Sequence, residues 1–299
     1  MNRKLLLSLT ALAVLAAACG GTTAPAAKGT IVVGGFGFPE SSILAQVYGQ
    51  ALAHDGYTVT YKLNLGQREV VAPAIKSGQI DLYPGYAATD LEYYNNKAGE
   101  ATGDVAATTA KLNSYLQPLG LVALSPSAAV DQNAFAVTKA TQAKYNNITK
   151  LSDLAPIAGQ LTMGAGPECL TRPYCIPGLE KTYGIKFKAF KALDTDGPLT
   201  RAAFANGTIQ VGLVFSSDGD LNALGLVVLQ DDKHLEAADN VVPIIRTAVA
   251  TDNVKKILNN VDKNLTTADL VAMNAQVSID HKDPDVVAKA YLQAHNYFV

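Results

Sequence analysis

The sequence predicts an α/β protein of two units, each with a mostly parallel sheet flanked by helices. Strand-like and helix-like segments alternate in residues 30–83 and again in residues 161–215. Roughly 270 residues follow an N-terminal leader, enough for two domains of ordinary size. The hydrophobic fraction of 48% and the charged fraction of 17% allow both units to bury a core.

Residues 1–18 have the pattern of a secretory signal peptide. A short basic start precedes an apolar run from Leu5 to Ala17, and small residues then end the run. The run is too short for a stable membrane span of about 20 residues. Cys19 resembles the lipidated cysteine of a bacterial lipobox, and residues 19–29 would then form a flexible tether. The alternative is ordinary cleavage after an Ala-x-Ala site. Either route places the protein outside the cytoplasm, at the outer face of the bacterial cytoplasmic membrane or in the periplasm.

Three cysteines occur in the chain. If Cys19 carries lipid, Cys169 and Cys175 form an even pair in an oxidising compartment. We expect a disulfide across this short loop, with two unpaired thiols as the alternative.

Composition and motifs argue against several other classes of protein. The net charge is −2 and no basic stretch occurs, which gives no indication of a nucleic-acid partner. The four histidines are scattered without ligand spacing, so no metal site is predicted. No Gly-x-Ser-x-Gly elbow occurs, and Asp194 and Asp196 look like turn residues, so we predict neither a catalytic centre nor a cofactor.

In the first unit, three strands alternate with two helices. Thr30–Gly34 is rich in β-branched residues, and Ser41–His54 has apolar residues at helical spacing. Tyr57–Leu63 alternates as a strand, Val70–Lys76 predicts a second helix, and Ile80–Tyr83 predicts a third strand. Such alternation is typical of right-handed crossovers in a mostly parallel sheet.

The second unit repeats the pattern. Leu161–Gly164, Lys186–Ala189 and Gln210–Phe215 are strand-like, and Gly178–Tyr183 and Gly197–Ala205 are helix-like.

Two helices are predicted near the C-terminus, Thr266–Val277 and Pro284–Tyr297, with Thr267 as a possible N-cap. If these helices return to the first sheet, the second unit is inserted into the first. Lobe 1 would then comprise residues 30–131 and 222–299, and lobe 2 residues 132–221.

Ligands of open α/β sheets bind beyond the carboxyl ends of the strands, so we expect the functional site in the loops there. Five stretches in and around these loops resemble, in order and spacing, the substrate-binding proteins of osmoprotectant ABC importers, the glycine betaine, carnitine and choline binding family. The resemblance covers nearly all of residues 30–299. The stretches are Gly34–Glu40, Leu65–Arg68, Gly78–Thr89, Arg172–Gly184, and Phe215–Gly219 with Leu229–Lys233.

The resemblance implies a two-lobed periplasmic binding protein of type II that closes around a small ligand in the interlobe cleft. The ligand's quaternary ammonium would sit in an aromatic cage, because a trimethylammonium group donates no hydrogen bond and is attracted to ring faces. Closure would create the shape that a membrane permease and its ATPase recognise.

Four residues match ligand-binding positions of the family. Tyr86 stands at a cage tyrosine, and Thr89 matches a hydroxyl that contacts the ligand. Arg172 matches the arginine that holds the ligand carboxylate. Phe215 stands at a second cage tyrosine and keeps the ring without the hydroxyl.

Three further positions depart from the family pattern. Asn133 and Asp239 align with two other cage tyrosines, and Phe36 replaces an expected lysine. A site with less positive charge favours a ligand with little or no carboxylate, such as choline, although glycine betaine stays open. A polar solute without an ammonium group, a role as a sensor and an exported enzyme are the alternatives.

Overall fold

The computed structural model describes residues 28–298. The predicted signal peptide, Cys19 and most of the predicted tether lie outside these residues. None of the helices in the described range combines the length and apolar character that crossing a membrane requires. The strands in this range are β1 (Thr30–Gly34), β2 (Thr58–Lys62), β3 (Leu82–Tyr86), β4 (Leu121–Ala123), β5 (Asn133–Thr138), β6 (Thr162–Ala165), β7 (Ala189–Ala192), β8 (Val211–Phe215), β9 (Leu226–Leu229) and β10 (Val241–Arg246).

These strands form two five-stranded sheets. The first has the order β2-β1-β3-β10-β4 and the second the order β7-β6-β8-β5-β9. In each sheet one strand, β10 or β5, runs antiparallel to both neighbours, while the other strands are parallel to one another. The prediction of two α/β units with mostly parallel sheets is therefore confirmed.

Helices cover the sheets and fill the connections between strands. Pro39 occupies the start of the first helix, where its missing N–H costs no hydrogen bond. The helices are α1 (Pro39–His54), α2 (Arg68–Lys76), α3 (Ala87–Tyr94), α4 (Val105–Leu116), α5 (Lys139–Lys144), α6 (Ile176–Gly178), α7 (Pro198–Ala205), α8 (Asp252–Asn264), α9 (Thr267–Ser278) and α10 (Pro284–Ala294). A π-helical turn, Leu179–Tyr183, continues α6, and short 3-10 turns lie at Gln117–Leu119, Leu151–Leu154, Ala158–Gln160 and Pro167–Leu170.

The C-terminal helices pack on the first lobe, which is the condition stated above for a second unit inserted into the first. Helix α1 packs against α8, α9 and α10, and β10 lies inside the first sheet. The return occurs later than predicted, because β9 pairs with β5 in the second sheet and residue 222 still precedes that strand. The short apolar run of β9 gives no local sign of which sheet it joins.

The chain crosses between the lobes after β4 and again after β9, and the two crossings lie side by side. Val130 and Asn240 form an isolated antiparallel bridge. The N–H of Asp131 donates to the carbonyl of Asp239 at 3.1 Å, and the N–H of Val241 donates to Ala129 at 2.9 Å. This paired segment joins the lobes, and we call residues 129–132 and 238–241 the hinge.

Three local predictions are corrected by the structure. The N-cap of α9 is Thr266, whose hydroxyl accepts from the N–H of Asp269 at 3.3 Å, and not Thr267. Strand β7 begins three residues later than predicted, because the N–H of Lys188 donates to the carbonyls of Ala158 and Leu161 instead of joining the ladder. Strand β3 likewise begins at Leu82, two residues later than predicted, and extends to Tyr86.

Candidate functional site

One cavity between the lobes is lined by all seven residues that the sequence placed at a ligand site. Phe36, Tyr86 and Thr89 come from the first lobe, and Arg172 and Phe215 come from the second. Asn133 and Asp239 lie at or beside the hinge. Their contact with a ligand stays a prediction. The residues lining the cavity are Phe36, Phe38, Gln67, Arg68, Tyr86, Thr89, Asp131, Asn133, Glu168, Cys169, Arg172, Cys175, Thr195, Leu213, Phe215 and Asp239.

Four aromatic rings, contributed by both lobes, form one wall of the cavity. Phe36 and Phe38 stack with their centroids 5.6 Å apart and their planes 7° from parallel. The ring of Phe38 lies 6.1 Å from that of Tyr86 and 5.4 Å from that of Phe215. Phe38 therefore connects the aromatic groups of the two lobes. Phe38 lies in the family-like stretch Gly34–Glu40, but no sequence pattern marks it as a ligand residue.

The phenol of Tyr86 is hydrogen-bonded within the first lobe. Its hydroxyl donates to Glu40 Oε1 at 2.8 Å, and the residue is buried. Burial and the nearby Glu40 carboxyl raise the pKa of Tyr86 well above its ordinary value, so the phenol stays neutral. The hydrogen bond fixes the ring in the aromatic wall.

Arg68 is a second residue that sequence reasoning did not select. Its Nε lies 2.6 Å from Asp90 Oδ1, and both side chains are almost completely buried. The guanidinium carbon of Arg68 lies 4.9 Å from the ring centroid of Phe36, a cation–π geometry. Asp90 also accepts from the hydroxyl of Tyr83 at 3.0 Å and from the N–H of Tyr86 at 2.8 Å. The Arg68–Asp90 pair therefore supports Phe36 through its guanidinium and Tyr86 through its carboxylate.

Two polar contacts join the lobes across the mouth of the cavity. Arg172 Nη2 lies 3.1 Å from Glu69 Oε2. Gln67 Nε2 donates to Thr195 Oγ1 at 2.9 Å, and that hydroxyl donates to Glu168 Oε1 at 2.6 Å. The predicted carboxylate-binding arginine thus lies at the cavity with a carboxylate of the opposite lobe beside it.

The loop that carries Arg172 is closed by the Cys169–Cys175 disulfide, which confirms the predicted pairing. Both cysteines are buried and line the cavity. Asn133 Nδ2 donates to the carbonyl of Tyr174 in the same loop at 2.9 Å. Asn133, the first residue of β5, therefore anchors the loop that carries Arg172.

Replacing both Cys169 and Cys175 by serine is expected to lower the free energy of unfolding by about 2 kcal/mol, the chain-entropy value for so short a loop. Urea unfolding of the oxidised protein and of the double variant measures this difference. A double variant as stable as the disulfide-bonded protein would contradict it.

Thr89 and Asp239 form a pair at the hinge side of the cavity. The N–H of Thr89 donates to Asp239 Oδ1 at 2.8 Å, and its hydroxyl donates to Asp239 Oδ2. Burial raises the pKa of Asp239 to about 6, against the opposing effect of these hydrogen bonds. The hydroxyl predicted to contact a ligand therefore binds the carboxyl that stands at a cage position.

The charges around the cavity leave an excess of negative groups. Two guanidinium groups line it, those of Arg68 and Arg172, and each is paired with a carboxylate of its own. Asp131, Glu168 and Asp239 also line the cavity, and none of the three forms an ion pair within residues 28–298. A positively charged guest would balance these carboxyls, because a charge buried without a partner is costly.

Asp194, which the sequence assigns to a turn, does act in one, and Asp218 acts in another. Asp194 accepts from the N–H groups of Leu199 and Thr200 at 2.8 and 2.9 Å, at the start of α7. Asp218 accepts from the N–H of Phe215 at 2.9 Å and braces the turn after β8.

The chain is similar to proteins of one known family. Residues 29–294 match the family described as the substrate binding domain of ABC-type glycine betaine transport systems. A glycine-betaine-binding protein of Pseudomonas aeruginosa is 29% identical over 295 residues, which cover 94% of this chain and 94% of that protein. The glycine betaine-binding protein YehZ of Escherichia coli is 27% identical over 267 residues, covering 85% and 87% of the two chains.

The fold is also similar to that of a crystal structure described as a glycine betaine/carnitine/choline ABC transporter. The TM-score is 0.71 at 24% identity, and the match covers 90% of this chain and 100% of that chain. The likeness confirms the two-lobed binding-protein fold predicted from the sequence.

Proposed function

Because this chain belongs to the family of substrate-binding domains of ABC-type glycine betaine transport systems, we propose that its interlobe cavity captures a small quaternary ammonium solute. The solute is bound without chemical change outside the cytoplasm and is delivered to an ABC permease and its ATPase. In the same proposal, a lipid on Cys19 holds the protein at the outer face of the membrane.

The aromatic wall is the observation that carries this proposal. Phe36, Phe38, Tyr86 and Phe215 contribute rings from both lobes to one cavity. A quaternary ammonium has no N–H to donate, so ring faces and dispersion contacts are the interactions that can recognise it. A sugar or a neutral polar solute would instead need several free donors and acceptors in the wall.

The charge balance supports a cationic solute such as choline over a zwitterion such as glycine betaine. Asp239 is buried beside the rings, where an ionised carboxyl attracts a cation more strongly than it would in water. Arg172 is the group suited to a ligand carboxylate, but Glu69 lies beside it and competes for its guanidinium. A ligand that carries only the ammonium group needs no part of Arg172.

Calorimetric titration with choline, glycine betaine, carnitine and proline tests the proposal. We expect choline to bind most tightly and proline, which lacks a trimethylammonium group, to bind at least about tenfold more weakly, a difference of about 1.4 kcal/mol. Recovery of unchanged choline distinguishes binding from catalysis. Failure of every methylammonium compound to bind would contradict the proposal.

A further inference from the structure

We propose that Glu40 is a positioning residue of this binding site, which holds Tyr86 in place through a hydrogen bond and shares one proton with Asp131 through the hydroxyl of Ser217. The inference rests on the proposed function, because the residue that it positions is part of the aromatic wall. It adds a consequence, namely that closure of the lobes takes up a proton.

Glu40 is a buried carboxyl that binds side chains of both lobes. Its Oε1 accepts from the hydroxyl of Tyr86 at 2.8 Å. Its Oε2 lies 2.7 Å from Asn274 Nδ2 and 2.5 Å from Ser217 Oγ. Glu40 and Asn274 belong to α1 and α9 of the first lobe, whereas Ser217 follows β8 of the second. The Glu40–Ser217 contact therefore forms only when the lobes are together.

The hydroxyl of Ser217 lies between the carboxyls of Glu40 and Asp131, and one of these two carboxyls must be protonated. Ser217 Oγ lies 2.5 Å from Glu40 Oε2 and 2.8 Å from Asp131 Oδ1. A hydroxyl has one proton, so it can donate to only one of these two oxygens. The other carboxyl must donate to the hydroxyl, because two unprotonated oxygens at such a distance in a buried site would repel each other. One proton is thus shared between Glu40 and Asp131.

The surroundings favour retention of this proton. Within the described range neither Glu40 nor Asp131 forms an ion pair, and both are buried. Asp218 faces both carboxyls, and Asp239 faces Asp131. Burial and these like charges raise the pKa of both groups. Two basic side chains line an adjoining cavity with Glu40, namely Arg201, which pairs with Asp196, Asp218 and Asp220, and His281. Arg68 and Arg172, each paired with another carboxylate, line the ligand cavity with Asp131.

The direction of the pH effect follows from proton linkage. The closed lobes hold a proton that separated, hydrated carboxyls would release at neutral pH. Closure is therefore favoured as pH falls, and ligand affinity decreases as pH rises above the ordinary carboxyl range towards the raised pKa of the pair. One linked proton changes the dissociation constant by at most about tenfold per pH unit. Asp239 would act in the opposite direction on a cationic ligand, so the contribution of Glu40 has to be isolated by a variant.

Glu40→Gln is that variant. Glutamine can accept from Tyr86 through its Oε1 and donate from its Nε2 to Ser217, whose hydroxyl then donates to an ionised Asp131. The hydrogen bonds to Tyr86 and Ser217 are kept, and the shared proton is no longer needed. The contact with Asn274 is kept only if that amide turns, so that its Oδ1, which has no partner in the described range, accepts from the glutamine Nε2. Asp131→Asn should remove the same proton, and the double variant should remove no more than either single variant.

The experiment is calorimetric titration with choline at pH 7 in two buffers of different ionisation enthalpy, which gives the protons taken up on binding. We expect Glu40→Gln and Asp131→Asn to take up fewer protons than the wild type. Asp262→Asn serves as the matched control, because Asp262 is also buried but bonds Tyr48 within the first lobe, so its uptake should equal that of the wild type. Glu40→Ala, which loses the Tyr86 contact, should bind choline about fivefold to tenfold more weakly than Glu40→Gln.

Equal proton uptake by the wild type and Glu40→Gln would overturn the inference while leaving the proposed function intact. If no methylammonium compound binds the wild type, the proposed function fails. The free energy of unfolding of the wild type and of Glu40→Gln, measured between pH 5 and 8, then tests whether Glu40 and Asp131 share a proton. Because the folded-state pKa of the pair is raised, wild-type stability should fall relative to Glu40→Gln as pH rises through this range. Parallel stability curves would overturn the inference as well.

Discussion

Replacement of Arg68 by methionine is expected to lower the free energy of unfolding by about 3–5 kcal/mol, because Asp90 would be left buried without its cation. Arg68 Nε and Asp90 Oδ1 are 2.6 Å apart, and their side chains are 6% and 0% exposed. Asp90 also accepts from the hydroxyl of Tyr83 and from the N–H of Tyr86. An Asp90 carboxylate without its cation would therefore also disturb the aromatic wall. Urea unfolding followed by circular dichroism measures the change.

Arg172→Met is the matched control for this prediction. Arg172 likewise pairs with a carboxylate, that of Glu69, but the Glu69 side chain is 54% exposed and solvent screens the interaction. We expect the control to lose at most about 1 kcal/mol. A loss for Arg68→Met no larger than that of the control would show that the buried pair does not stabilise the first lobe as described.

Asp239→Asn is expected to weaken choline binding about a hundredfold. Two opposite charges about 5 Å apart at an effective dielectric constant of 20 attract by about 3 kcal/mol, and asparagine removes that attraction while keeping the shape of the side chain. Glycine betaine should lose less, because its own carboxylate is repelled by Asp239 in the wild type. Calorimetry with the two ligands gives both constants.

The same residue predicts a pH dependence for choline. As pH falls through the pKa of Asp239, about 6, the carboxyl takes up a proton and its attraction for the cation is lost. The contribution of Asp239 to choline affinity should therefore be lost between pH 7 and pH 5, so the ratio of wild-type to Asp239→Asn affinity should fall over this range. A variant that binds choline within twofold of the wild type at pH 7 would contradict the assigned role of Asp239.

Local sequence patterns predicted the parts of the fold that depend on local chemistry. Apolar residues at helical spacing predict a helix over Ser41–His54, and β-branched residues predict a strand over Thr30–Gly34. The structure has a helix and a strand at these places. Strands β4 and β9 have only three and four residues, and their partners lie far away in sequence. A short apolar run cannot indicate which distant strand it joins.

The candidate site, like the fold, could be predicted from the sequence only in part. The resemblance to a known family placed seven side chains, and all seven line one cavity. Phe38 was not selected because its role depends on stacking with Phe36 and reaching Phe215 of the other lobe, which only the folded chain shows. Arg68 and Glu40 were not selected because their significance lies in burial and in distant partners, which no spacing in the sequence reveals.

Thr89 illustrates how the structure changes the interpretation of a residue that is expected to contact a ligand. Its hydroxyl was expected to contact a ligand directly, and it lines the cavity. It donates instead to Asp239, 150 residues along the chain. A ligand that reaches this part of the cavity meets a carboxyl whose orientation Thr89 fixes.

We propose that the cavity recognises the positive charge of a methylated ammonium through ring faces and a carboxylate. Calorimetry with choline and with 3,3-dimethylbutan-1-ol, in which a carbon replaces the ammonium nitrogen, tests it directly, because the two molecules differ in charge and hardly in shape. We predict that choline binds at least about tenfold more tightly, a difference of about 1.4 kcal/mol or more. Equal binding of the two compounds, or binding of neither, would contradict the claim.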